Sequence, residues 1–517
     1  MKFLSKNIFH IFAIVSIFLG LSEAWKLRWL CDDAFISFSY ARNLSEGFGL
    51  VYQVGEYVEG YSNFLWTLLL SGFFVIGVSP LKASLVLGIL SYFFLLVYLY
   101  FVERKERPFS NLPLYLIHFV LFYHGWIFAT SGLETMMFTL FLTIGLIEWQ
   151  KKDNRAGYLL LLAALVRPEG MLFLTLYTFE KGSDTRKIKS AFPFLFFLFF
   201  IAARFVYYDD FLPNTYYAKA NRPAYFSQGM MYLFYWFRVY PLYTIVFLYS
   251  IFLNLDQIYR KFPAFRSLCI LIYIFYVLFI GGDFMAMRFW LPVMPYLSWI
   301  VYLKLVEKTD ELQISSNLKS KWNIYFQRNL ILIHLFFILS LAVRLDPFVG
   351  ENEKEAFWNQ VGEERRFYTD SLIQEIGYDK VALRDFRVAF FGAQAHFIYF
   401  MKPKYAWEAE SGLTDKVLAK QESQKPRGRV GHEKYAEPSG LLARDIELVL
   451  ADRFPEMNLP YITFQFRNYT WNIFVLHYRP EKFSKLCQRS GWDCSLLYTD
   501  LLKRKLDLEK EQIFWHD

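Results

Sequence analysis

Apolar runs separated by short polar stretches fill the first two thirds of the chain and stop near residue 344. A helix needs about 20 apolar residues to cross a bilayer. Residues 7–24 form the first such run, with Lys2 and Lys6 ahead of it. No convincing small-x-small site follows, so an uncleaved anchor is expected. Further spans are expected at 81–102, 112–130, 133–150, 190–207, 231–253, 267–281, 289–306 and 329–344. The stretch 64–78 is short and follows a polar loop, which predicts a helix lying on the outer surface. The stretch 156–180 carries Arg167-Pro168-Glu169-Gly170 at its middle. Proline breaks a helix there, which predicts two short helices meeting at a polar turn. The chain then crosses about eleven times.

From residue 345 onward the pattern changes to a richly charged one. Val388 to Phe391 and Tyr461 to Phe466 read as strands, 439–453 as a helix, and Lys420 to Glu437 as a loop. That is a mixed α/β domain with one core. The expected fold is an α-helical polytopic membrane domain over 1–344, with its first outer loop at 25–80, followed by an extracytoplasmic α/β domain over 345–517.

Composition agrees. The 517 residues are 55% hydrophobic and 21% aromatic, which suits helices in lipid. The 20% charged content requires a sizeable water-exposed part. The net charge of +8 is explained by basic clusters between apolar segments rather than by a nucleic-acid partner. With the N-terminus inside, Arg104-Lys105-Glu106-Arg107, Lys151-Lys152, Lys181 to Lys189, Arg260-Lys261 and the 304–328 connection all fall in the cytoplasm. Lys26 and Arg28 count against this scheme. Cys487 and Cys494 flank a short polar stretch and are either a small disulfide loop or two thiols.

On this topology the polar motifs share one membrane face: 32–62, 131–134, 167–170, 209–222 and 281–288. Charged residues converging at membrane depth suggest a site. Chief among them is the pair Asp32-Asp33, just past the first apolar run. Adjacent acids there can bind a cation, cap a helix or take a proton from a substrate. No HExxH, Walker or GxSxG pattern occurs.

The stretches Asp32 to Leu44, Glu46 to Tyr52 and Val58 to Trp66 resemble the opening of GT-C fold membrane glycosyltransferases. The nearest group is that of the terminal arabinofuranosyltransferases of bacterial envelope synthesis. Similar motifs follow in order: Ser131-Gly132-Leu133-Glu134, Arg167-Pro168-Glu169-Gly170, Pro213 to Lys219, Gly281 to Phe289, Gly412 to Asp415 and Arg429 to Lys434. Ser39 departs from the group's pattern, which has arginine there, and Tyr399 to Lys404 is less like the group than the first loop is.

The resemblance implies a bacterial cytoplasmic-membrane enzyme working on the outer face, where a sugar donor must arrive as a polyprenyl-phosphate lipid. A glycan or glycolipid is the acceptor. By analogy the base is one of Asp32 and Asp33, with Asp33 favoured and the other capping a helix or orienting a neighbour. One base and direct displacement imply inversion. Arg167, Lys219 and Arg288 are candidates for the donor phosphate, or else snorkelling surface cations. Glu59, Tyr61, Glu134, Glu169 and Asp283 are expected to shape the cavity. Arg42 and Asn214 join the substrate-binding set through their motifs. His432 and Glu433 either reach the acceptor or belong to a solvated loop. A divalent cation, Mg²⁺ or Ca²⁺, is possible, although no ligand spacing demands one. The rival readings are a lipid flippase and a non-catalytic envelope scaffold.

Overall fold

The computed structural model describes residues 2–108, 110–181, 187–219, 223–253, 264–315, 335–345, 357–358, 361–363, 365, 377–422, 431, 434–451, 459–466, 469–503 and 512–513. The helical part runs α1 (Lys2–Lys26), α2 (Asp32–Ser45), α3 (Phe64–Val75), α4 (Pro80–Glu106), α5 (Leu114–Val120), α6 (Tyr123–Phe128), α7 (Thr135–Gln150), α8 (Arg155–Val166), α9 (Gly170–Lys181) and α10 (Lys187–Tyr208). It continues with α11 (Asn214–Lys219), α12 (Phe226–Val239), α13 (Pro241–Leu253), α14 (Ala264–Ile280) and α15 (Met294–Ser315).

Among the described residues, three stretches are long and apolar enough to cross a membrane: Ile8–Lys26, Pro80–Glu106 and Ala191–Tyr208. A fourth is reached if α12 and α13, bent by 98°, make one span. Phe64–Val75, Thr135–Gln150, Arg155–Val166 and Leu268–Ile280 are shorter apolar helices. This is the architecture of a helical membrane protein.

Two expected spans are broken. Within 231–253 the break falls at Tyr240, whose φ of −121° and ψ of 60° leave the helical region. Pro241 follows, and a proline disfavours helix at the residue before it. The stretch 112–130 splits at Phe122, which is extended. The freed carbonyl of Val120 accepts the Trp126 indole N–H at 2.7 Å. The turn between α8 and α9 falls at Arg167–Glu169, as expected.

The tail holds a six-stranded sheet in the order β4-β3-β5-β7-β6-β9. Its strands are β3 (Arg387–Phe390), β4 (Tyr405–Glu408), β5 (Leu448–Leu450), β6 (Tyr461–Phe466), β7 (Tyr469–Val475) and β9 (Trp492–Asp493). Two-residue strands β1 (Phe357–Trp358), β2 (Val361–Gly362), β8 (His477–Tyr478) and β10 (Gln512–Ile513) lie outside it. β3 pairs in parallel with β4 and β5, and the remaining pairs are antiparallel. The tail helices are α16 (Tyr378–Val381), α17 (Ala395–Met401), α18 (Lys416–Lys420), α19 (Pro438–Ala443), α20 (Pro480–Cys487) and α21 (Ser495–Lys503). The expected helix 439–453 is corrected to α19 followed by β5. Asp445 turns the chain between them with a φ of 51°, which an aspartate tolerates better than most residues. Cys487 and Cys494 are disulfide-bonded, with Cα atoms 5.9 Å apart.

Candidate active site

α2 opens with the acid pair. Cys31 before it is extended and donates its N–H to the Ser131 carbonyl at 2.8 Å, which ties the helix start to the head of α7. Carboxylates in a first turn suit the positive end of the helix dipole. Successive side chains on a helix point about 100° apart, and the two acids diverge accordingly. Asp32 is buried against the tail. It accepts the backbone N–H groups of Ala395 (3.1 Å) and His396 (2.9 Å) and lies 2.8 Å from His396 Nδ1. Asp33 is 29% exposed, and its Oδ2 lies 3.6 Å from Arg288.

Beneath Asp33 lies a buried ion network. Glu134 accepts from Arg167 at 2.6 Å and from the Asn63 amide at 2.8 Å. Arg167 also holds Glu169 through two nitrogens, at 2.9 and 3.2 Å. Arg288 donates to Asp283 at 3.3 Å and stands 3.6 Å from Glu134. Desolvated charges survive only when paired this way.

The network opens into a cavity of about 620 Å³. Asp32, Asp33, Glu134, Arg167, Glu169 and Arg288 line its floor. Leu172, Leu176, Tyr273, Tyr276 and Phe284 give it an apolar flank. The tail supplies a roof that includes Gly392, Ala395, Glu408, Ser411 and Leu413. Gly392 and Ala395 follow the carboxyl end of β3, and Ser411 that of β4, which is where open sheets place ligands. Glu408 is buried and accepts four bonds, from the N–H groups of Glu410, Ser411 and Leu413 and from the Ser411 hydroxyl. Burial raises the Glu408 carboxyl above the usual range despite those bonds. Floor and roof touch closely at Gly60, where a Cβ would sit 2.3 Å from the Leu413 carbonyl oxygen, so no larger residue fits.

Of the other expected site residues, Tyr61 lines the cavity, its hydroxyl 3.1 Å from that of Tyr208. Asp283 stands behind Arg288, and Glu59 is paired with Arg204 at 2.9 Å. Arg42 donates to the Tyr399 carbonyl at 3.1 Å and covers its ring. Asn214 bridges the first loop and the tail, its N–H on Glu59 O and its amide on Gly412 O, both at 2.9 Å. Glu59, Arg42, Asn214 and Asp283 thus brace the cavity without lining it. Lys219 ends α11, and its side chain, like His432 and Glu433, lies outside the described residues. Sequence reasoning missed Asn63, Arg204, His396 and Glu408. Arg204 carried a signal, as a charge inside the apolar run 190–207. Among the described residues no three His, Cys, Asp or Glu side chains converge to hold a metal ion.

The chain is similar to a terminal β-(1→2)-arabinofuranosyltransferase of Mycobacterium tuberculosis, 28% identical over 263 residues. The match takes in 44% of this chain and spans only 41% of that protein's length. No protein-family model matches the chain, and no solved structure does. With the apolar helices, this likeness supports a membrane protein related to glycosyltransferases.

Proposed function

We propose that this chain is an integral-membrane GT-C type glycosyltransferase that moves a sugar from a polyprenyl-phosphate donor to an envelope glycan or glycolipid, with Asp33 as base. The observation that carries the reading is the cavity itself. It sets one partly exposed carboxylate beside Arg288, against an apolar flank able to take a prenyl chain. The relative's activity agrees with it.

The chemistry is a single displacement. The acceptor oxygen attacks the anomeric carbon and forms the new glycosidic bond. The bond from that carbon to the phosphate oxygen breaks, and its electron pair leaves with polyprenyl phosphate. Asp33 takes the acceptor's hydroxyl proton and later returns it to solvent. Arg288 meets the phosphate charge at the cavity floor, while Arg167, already held by Glu134 and Glu169, keeps that floor in shape. One base and no covalent intermediate invert the anomeric centre. The reaction faces the extracytoplasmic side of a bacterial cytoplasmic membrane, and the Cys487–Cys494 disulfide supports an oxidising surrounding for the tail. The donor sugar is arabinofuranose by analogy with the relative, with mannose as the alternative.

Purified protein in proteoliposomes with a polyprenyl-phosphate-linked arabinofuranose and an arabinan acceptor tests this. Labelled, elongated acceptor is expected. Lipid movement across the bilayer without a glycosidic bond would replace the reading with a flippase, and neither transfer nor lipid-phosphate binding would leave a scaffold.

A further inference from the structure

We infer that Asp32 and His396 form a joint through which the tail positions Asp33, so that the tail is a working part of the site and not an appended domain. The inference rests on the transfer reading above.

Asp32 is already engaged. Both of its oxygens accept bonds from the tail, Oδ2 from the Ala395 N–H and Oδ1 from the His396 N–H. His396 Nδ1 completes the set at 2.8 Å from Oδ1. These two amides open α17, where backbone N–H groups lack partners inside their own helix. A carboxylate on α2 therefore caps a helix that lies 363 residues further along the chain.

The joint extends along both helices. Phe35 packs against Tyr399 and Phe400, with ring centroids 5.6 and 5.8 Å apart. Phe38 meets Tyr399 at 6.2 Å. Arg42 closes the contact on the Tyr399 carbonyl. α17 is thus fixed against the helix that carries Asp33. The segment leading into α17 contributes Gly392, Ala393 and Ala395 to the cavity wall. The distance from Asp33 to the roof is set here. His396 does not line the cavity. It acts through Asp32 and is a positioning residue.

Proton transfer needs its partners within hydrogen-bond reach, and a misplacement of about 1 Å costs on the order of 10²-fold. His396→Ala keeps both backbone bonds to Asp32 and removes only the side-chain one. It is expected to lower kcat about 10-fold to 100-fold with the donor KM unchanged. His396→Asn returns an N–H near the position of Nδ1 and is expected to restore most of the rate. His396→Gln, longer by one methylene, is expected not to. Amide hydrogen exchange at Ala395 and His396 is expected to speed up in Asp32→Asn and to stay slow in His396→Ala, a readout independent of transfer. An unchanged kcat in His396→Ala, equal rates for the Asn and Gln variants, or unchanged exchange in Asp32→Asn would overturn the joint while wild-type transfer leaves the enzymatic reading intact. A wild type that transfers no sugar would overturn that reading, and the positioning role with it. If His396→Ala fails to fold, the Asn against Gln comparison still decides.

Discussion

The floor and the roof of the cavity both bury carboxylates, and they satisfy them in opposite ways. On the floor, Glu134 depends on the guanidinium of Arg167, 33 residues further along, which also holds its near neighbour Glu169. In the roof, Glu408 depends on backbone N–H groups and a hydroxyl within five residues of itself. The floor is therefore a long-range device whose charges stand or fall together. The roof is local, its carboxylate held by amides and a hydroxyl of its own loop. A charged ligand can compete for Arg288, whose nearest contacts are at 3.3 and 3.6 Å, far more readily than for Glu408.

The sharpest way to break the contrast is Arg167→Met. Glu134 and Glu169 lose their closest cation, Glu134 keeping only Arg288 at 3.6 Å, and stability is expected to fall by about 3–5 kcal/mol. Adding Glu134→Gln and Glu169→Gln to that variant is expected to recover most of the loss, because no charge is left unpaired. Thermal unfolding in detergent measures both. Glu408→Gln comes next. Its amide N–H₂ would face donors that now point at a carboxylate, with an expected cost of about 2–3 kcal/mol by the same measurement. Replacing Cys487 and Cys494 by serine opens a short loop and is expected to cost about 2 kcal/mol. The smallest effect belongs to Asp445. Burial lifts its pKa, but Arg479 and His477 outweigh burial and hold the carboxyl below its ordinary value. Its contribution is therefore present at pH above about 4 and disappears as pH falls through the folded-state value. The side chain is 45% exposed, so Asp445→Asn is expected to cost less than about 1 kcal/mol at pH 7 and nothing once the wild-type carboxyl is protonated.

Much of this layout was legible in the sequence. Pro80–Glu106 was read as 81–102 because a predominantly apolar run of about 20 residues is long enough to cross a bilayer. The turn at Arg167 followed from its proline, and β6 from its alternation. Hydropathy carries no information on which apolar stretches bend. The break at Phe122 has no proline or glycine to mark it and depends on Trp126 reaching back to Val120. The site divides the same way. Glu134, Arg167 and Arg288 were singled out because charged residues converging at membrane depth suggest a site and because they fall in the motifs that carry the resemblance. His396 and Glu408 belong to the tail, where polar residues are common and no sequence rule separates one from its neighbours. Their roles come from tertiary contacts with residues hundreds of positions away or from backbone amides that a sequence pattern does not orient.

The most direct measurement is the initial rate of labelled sugar transfer by Asp33→Asn set beside Asp32→Asn, both purified and inserted in liposomes with a polyprenyl-phosphate sugar. Loss of the base is expected to cost Asp33→Asn about 10²–10⁴-fold in kcat with the donor still bound, while Asp32→Asn keeps measurable turnover. Full activity in Asp33→Asn would contradict the account.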